Sequence, residues 1–230
     1  MMALVIGLSS HLFADPTPSP VVQTAGATWD ISLNSEGSGL WAISNPSTFS
    51  VDGAVLTVEQ LTLDSDPNIF SFFGATNTLS IPQSYSLSVP LTVSLPAGQY
   101  FVSSSLAGSV TNGSSSSNNI SLSPLSGSIM TSTVGALDAG VDLLNTPLTF
   151  SGVAPYTSQP FGAYTANNVL TLTAPVTTID VLTSFSLSGN SSASLTFDFN
   201  VTPTPEPSTY ALLIMGSCIL FLAVRRLRIR

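Results

Sequence analysis

The chain has 230 residues, 43% of them hydrophobic and 7% charged, with four Lys or Arg against twelve Asp or Glu and a formal net charge of −8. Eleven of the acids fall between Asp15 and Thr204, a span without Lys, Arg, His or Cys; such a surface repels phosphates and excludes nucleic-acid binding. The span also lacks disulfides, thiol chemistry and any side chain that takes a proton near neutral pH, which excludes Ser-His-Asp and Cys-His catalysis, and phosphoryl transfer lacks both a Gly-rich loop and a cation.

In chain order, Met1 to Asp15 has an apolar centre at Ala3 to Leu8 and a small residue at Ala14, the latter part of a secretory signal with cleavage expected after Ala14. Its basic leading region is missing, so we read 1–14 as a truncated signal peptide and leave it out of the fold.

Residues 15–201 are expected to form one ectodomain, long enough to bury roughly 70% of its extended-chain surface. Tyr85-Ser-Leu87-Ser-Val89-Pro-Leu91-Thr-Val93-Ser-Leu95 puts an apolar residue at every second position, the period of a half-buried strand. Pro90 falls on its polar face and predicts an edge or bulged strand. Leu195-Thr-Phe197-Asp-Phe199-Asn-Val201 alternates in the same way. Shorter candidate strands are Ala54 to Val58, Leu61 to Leu63, Ile69 to Phe73, Phe101 to Val110, Asn119 to Leu122, Val169 to Thr173, Thr178 to Leu182 and Phe185 to Leu187. The change of phase between Leu56/Val58 and Leu61/Leu63 predicts a bulge near Glu59-Gln60. Turn chemistry separates the runs at Asp52-Gly53, Asp66-Pro67-Asn68, Pro96-Ala-Gly98, Asn112-Gly113-Ser-Ser-Ser-Ser117 and Ser188-Gly189-Asn190. The expected fold is all-β, an antiparallel β-sandwich of jelly-roll or Ig-like topology.

Within it, Asp64-Ser-Asp66-Pro-Asn68 sets three oxygen side chains at alternate positions, so Asp64, Asp66 and Asn68 form a candidate weak Ca²⁺ site; a Pro-containing turn is the competing reading. An EF-hand would need Gly and Glu where Ile69 and Ala75 stand. Asp138-Ala-Gly-Val-Asp142 is a weaker candidate. Carboxylate-only glycosidase chemistry could draw on Asp64/Asp66, Asp138/Asp142, Glu36, Asp52, Glu59, Asp180 and Asp198, but no aromatic-rich cleft segment surrounds the glutamates. Trp29 and Trp41 fit packing or sugar stacking. The sequons at Asn112, Asn119, Asn190 and Asn200 are what a Ser/Thr/Asn-rich chain produces by chance. We expect no enzyme, no catalytic residue and no cofactor apart from the Ca²⁺ candidate.

The last segment, 202–230, differs in kind. Ala211 to Val224 carries no charge, and its eight Leu, Ile, Phe or Val residues give roughly −2 to −5 kcal/mol for membrane insertion. Fourteen helical residues reach only about 21 Å, so Tyr210 at one interface and snorkelling Arg225 and Arg226 at the other would complete a single transmembrane helix over 210–224. All four basic residues, Arg225, Arg226, Arg228 and Arg230, follow it, which predicts stop-transfer with the tail cytoplasmic. Ahead of it stands Pro205-Glu206-Pro207-Ser208, an extended and accessible segment.

Pro205, Glu206, Pro207 and Ser208, with Ala211-Leu212-Leu213, Gly216 and Arg225-Arg226, resemble the PEP-CTERM sorting signal of Gram-negative bacteria. The Leu-Pro-x-Thr-Gly signal of Gram-positive sortases is absent. The resemblance implies an exosortase, a membrane-embedded cysteine transpeptidase, as processing partner. Leu61 to Ile69, Ala75-Thr-Asn77 and Leu106 to Gly113 are also similar to a pattern in PEP-CTERM proteins of unknown function, which implies export and no activity. The expected protein is a transient single-pass inner-membrane precursor, trimmed to a mature form in the envelope or extracellular matrix. Its expected role is structural or adhesive, associated with exopolysaccharide or biofilm, with a carbohydrate- or calcium-binding module as the alternative.

Overall fold

A computed structural model describes residues 18–204. Among them are sixteen strands and no helix. The first eight are β1 (Val21–Thr24), β2 (Ala27–Asp30), β3 (Asn34–Gly37), β4 (Leu40–Ala42), β5 (Ser47–Val51), β6 (Ala54–Asp64), β7 (Asn68–Asn77) and β8 (Gln83–Leu95). The rest are β9 (Gly98–Asn112), β10 (Asn118–Pro124), β11 (Met130–Val134), β12 (Leu137–Asp138), β13 (Leu148–Val153), β14 (Ser158–Leu172), β15 (Val176–Leu187) and β16 (Ser191–Pro203). They make two eight-stranded sheets. The first runs β12-β11-β15-β8-β1-β2, with β10 on β15 and β13 on β10; the second runs β14-β9-β16-β7-β6-β4-β3, with β5 on β6.

Two-residue alternation decides which faces meet. In β16 the side chains of Ala193, Leu195, Phe197, Phe199 and Val201 are buried, and in β8 those of Tyr85, Leu87, Val89, Leu91, Val93 and Leu95. Each fully buried large apolar side chain contributes about 1.5–3 kcal/mol. Aromatic rings join the sheets: Phe73 of one stacks on Phe185 of the other at 6.3 Å, and Phe185 stacks in turn on Tyr85, its neighbour within the first sheet, at 5.6 Å. The Tyr85 hydroxyl crosses the gap and donates to the Thr76 carbonyl at 2.7 Å. The result is a β-sandwich with one core.

The register of β6 against β7 shifts between Val58 and Gln60, where the alternation predicted a bulge. On its other flank β6 pairs with β5 through Val58 and with β4 from Thr62 onward, so the bulge falls where the neighbour changes. Pro90 corrects the edge-strand reading: β8 lies between β15 and β1. Pairing with β1 stops at Ser88, however, so beyond it Pro90 interrupts no ladder on that flank.

Several strands were not expected. The β1–β2 hairpin turns on Ala25 (φ 46°) and Gly26 (φ 83°), a two-residue turn of the same kind as Asp52-Gly53 between β5 and β6. The segment after β11 folds between the sheets, burying Ala139, Val141 and Leu143. It is held from the second sheet, where the Ser104 hydroxyl donates to the Val141 carbonyl at 2.6 Å and the Asn168 amide to the Ala139 carbonyl at 2.8 Å. Three buried hydroxyls, Thr24, Ser132 and Thr183, have no hydrogen-bond partner.

Candidate functional site

The chain leaves the sandwich through β16, which lies between two neighbours in its sheet. It pairs with β7 as far as Asn200↔Asn68 and with β9 as far as Pro203↔Tyr100. Val201 N–H donates to the Pro67 carbonyl, and both the N–H and the hydroxyl of Thr204 donate to the Gln99 carbonyl, each at 2.9 Å. The backbone is therefore fixed through Thr204. Pro205, Glu206, Pro207, Ser208, the 210–224 span and Arg225, Arg226, Arg228 and Arg230 lie outside the described residues, as does the 1–14 signal. Among the described residues no helix is long and apolar enough to cross a membrane.

Beside this exit sits the Asp64 to Asn68 turn. Asp64 spends one carboxylate oxygen on the N–H of Asp66 at 3.0 Å, and the Asn68 amide donates to Asp198 at 3.1 Å. Of the three candidate Ca²⁺ ligands, Asp64 is thus engaged in the turn and Asn68 across the ladder, Asp66 entering only through its backbone N–H, and no cluster of three or more His, Cys, Asp or Glu suited to a metal occurs among the described residues. In the second acidic turn Asp138 accepts from the N–H of Gly140 at 2.8 Å. Asp142, though exposed, is held above the usual carboxylate range by lost hydration and then by the charge of Asp138, while a backbone hydrogen bond at Ser132 opposes the shift. Glu36, Asp52, Glu59 and Asp180 are exposed. Trp41 is buried and Trp29 packs on Phe49 at 5.7 Å, so both serve the core.

At the opposite end of β16 the structure shows a device that sequence reasoning missed. Ser191 pairs with Asn77 on one side and Asn112 on the other. Asn77 accepts from Leu79 N–H at 3.0 Å and donates to the carbonyls of Ile81, Leu187 and Ser188. Asn112 accepts from Ser114 N–H at 2.9 Å and donates to the carbonyls of Ser116, Val153 and Ala154. The available signal was the dipeptide Thr-Asn at the end of two strands, Thr76-Asn77 and Thr111-Asn112. A cleft of about 220 Å³ opens beside Ser191, lined by backbone, hydroxyls and amides including Thr78 and Asn190.

A family model described as the PEP-CTERM protein-sorting motif matches residues 203–228. The chain carries a PEP-CTERM protein-sorting motif. The PEP-CTERM match begins at Pro203, the residue at which the β16 ladder ends. This motif is an exosortase recognition signal, which makes an exosortase the processing partner and the chain an exported protein.

No curated protein sequence matches the chain. Solved structures to which the sandwich is similar include the carbohydrate-binding module TmCBM61 in complex with β-1,4-galactotriose, at 13% identity over 75% of this chain and 88% of that one, TM-score 0.25. The family 11 carbohydrate-binding module of cellulase Lic26A-Cel5E of Clostridium thermocellum matches at 12% identity over 71% of this chain and 91% of that one, TM-score 0.21. The enzymatically active domain of tailspike protein 4 of bacteriophage CBA120 matches at 8% identity over 72% of this chain and 20% of its own, TM-score 0.27.

Proposed function

We propose that the chain is a structural or adhesive protein of the envelope or extracellular matrix, associated with exopolysaccharide or biofilm and without catalytic activity. It is delivered to the inner membrane of a Gram-negative cell by a signal within 1–14 and held there by one helix over 210–224, its C-terminus cytoplasmic. The ectodomain over 15–201, a sandwich of jelly-roll or Ig-like kind, stays outside. An exosortase then cuts near Pro205-Glu206-Pro207-Ser208.

One observation carries this reading: the backbone is held by hydrogen bonds through Thr204, one residue past the end of the β16 ladder and directly ahead of Pro205. The step from Thr204 to Tyr210 spans at most about 20 Å of extended chain, so the folded body stands close to the bilayer until it is cut free. A cut within that step removes no strand. The test is mass spectrometry of the secreted form in the producing strain, with Pro205→Ala/Glu206→Ala as comparison. Wild type should lose the segment ending in Arg230 and the variant should keep it in the membrane fraction. Secreted wild type that still carries Arg230 overturns the reading.

A carbohydrate-binding module is the second reading. Asn167, Ser103, Asn200 and Asn68 align across four strands on the outward face of the second sheet, with half-buried Phe70 and Phe72 on the next rungs of β7. Amides and hydroxyls beside aromatic rings suit a neutral glycan. Retention of the protein on the producer's own polysaccharide, lost in Phe72→Ala, would favour it; equal retention of both forms would remove it.

A further inference from the structure

Natural sheets protect their edges from joining other chains, and most edges here are blunted by being short. Among the described residues β2 and β3 have four residues each, β5 five, β12 two and β13 six. The open flank of β8 beyond Ser88 carries Pro90. β14 is different: it is an edge strand of fifteen residues that pairs with β9 alone. Its first part is guarded by Pro160 and by a register shift between Phe161 and Tyr164. From Tyr164 to Leu172 the ladder to β9 is continuous, and nothing in the strand is charged. Lysine, the usual guard of such edges, does not occur anywhere in 15–204.

The free edge can also be oriented. Val169 N–H is taken by the Asn168 side-chain oxygen at 2.9 Å, so it turns away from β9. Because alternate residues of a strand direct their N–H and C=O to the same side, Thr165, Asn167, Val169 and Thr171 present theirs outward.

We infer that the Tyr164–Leu172 edge of β14 pairs antiparallel with the same edge of a second copy, about a two-fold axis at Asn168. In that register Thr165 faces Thr171, Asn167 faces Val169, Ala166 faces Leu170 and Tyr164 faces Leu172. Two threonines meet, Ala166 stands against the larger Leu170, and no like charges face each other, so the strand can pair with itself as an isologous contact requires. The second copy's backbone takes over Val169 N–H from the Asn168 oxygen. Two eight-stranded sheets become one of sixteen across the pair, a way for a matrix protein to associate without cations or disulfides.

The test uses the full chain in detergent with Cys218→Ser. Thr165→Cys and Thr171→Cys chains, mixed and oxidised, should form the hetero-disulfide pair in excess over either homo-pair. Asn167→Pro removes an outward N–H without touching the β9 ladder and should weaken the dimer by about tenfold or more. Asn167→Lys, which places charge on the edge, should do the same with an unchanged melting temperature. A monomer at every concentration, random cross-linking among the cysteine chains, or a dimer that survives both Asn167 variants overturns the inference.

Discussion

Asn77 and Asn112 stand on opposite sides of Ser191, each paired with it across a ladder, and each closes its own loop with the same set of bonds. Each side-chain oxygen accepts the N–H two residues on, and each amide reaches the carbonyl four residues on, the last carbonyl of a strand in the facing sheet and the carbonyl just after it. Both residues are essentially without solvent exposure, so truncation leaves several buried groups unpaired. Asn77→Ala and Asn112→Ala should each cost about 3 kcal/mol and lower Tm by about 6–12 °C. Thermal unfolding followed by circular dichroism measures this; a loss under about 1 kcal/mol would show that water replaces the clasp. The same burial closes the Asn112 sequon to any modifying enzyme.

Tyr85 makes stability depend on alkaline pH. Burial pushes its phenol up to about 12, against a smaller opposing effect of a backbone hydrogen bond at Val55. Its folded pKa lies above the unfolded value near 10, so the protonated form favours the fold. That contribution is complete below pH 10 and is lost as pH rises from 10 toward 12, by roughly 2–3 kcal/mol. Urea midpoints at pH 9 and 11.5 should differ accordingly, and Tyr85→Phe should flatten the difference while lowering stability at pH 7.

Thr24 and Thr183 bury hydroxyls that find no partner. Exchange for valine keeps the branched shape and removes the desolvation cost, so Thr24→Val and Thr183→Val should each stabilise by about 0.5–1.5 kcal/mol. Unchanged or lower urea midpoints would mean that ordered water satisfies the hydroxyls.

Calcium should act on this acidic surface diffusely. Asp64 is committed to Asp66 N–H and Asn68 to Asp198, so Asp64→Asn/Asp66→Asn should change the calcium titration only by the charge removed. Salt near 1 M, where the screening length is about 3 Å, should abolish the signal. A stoichiometric, salt-resistant transition lost in the double variant would instead establish a discrete site.

What was legible in the sequence was what period and turn chemistry encode. β8 and β16 bury one face each, so their alternation is written in the residues, and the Glu59-Gln60 bulge announced itself by a change of phase. β14 was seen only at Val169 to Thr173, because an edge strand with one face in solvent needs few apolar residues and Ser158 to Asn168 has little pattern. The β1–β2 hairpin was missed because Ala25 occupies a position where Asn or Asp would signal the turn. The Asn77/Asn112 clasp was hidden for another reason: a buried asparagine earns its place through partners distant in sequence, such as Leu187 and Val153. The sorting motif is local chemistry along one stretch, and it was readable without the fold.

The place of β16 between β7 and β9 has a consequence for timing. Asn68 finds its partner Asp198 only after 130 more residues have emerged, and Ser103 and Tyr100 likewise wait for the final strand. The second sheet therefore cannot zip shut while the polypeptide is still emerging. The body is completed only when its last strand arrives, immediately ahead of the sorting motif, so on the proposed export route processing would begin on a molecule that has just acquired its shape.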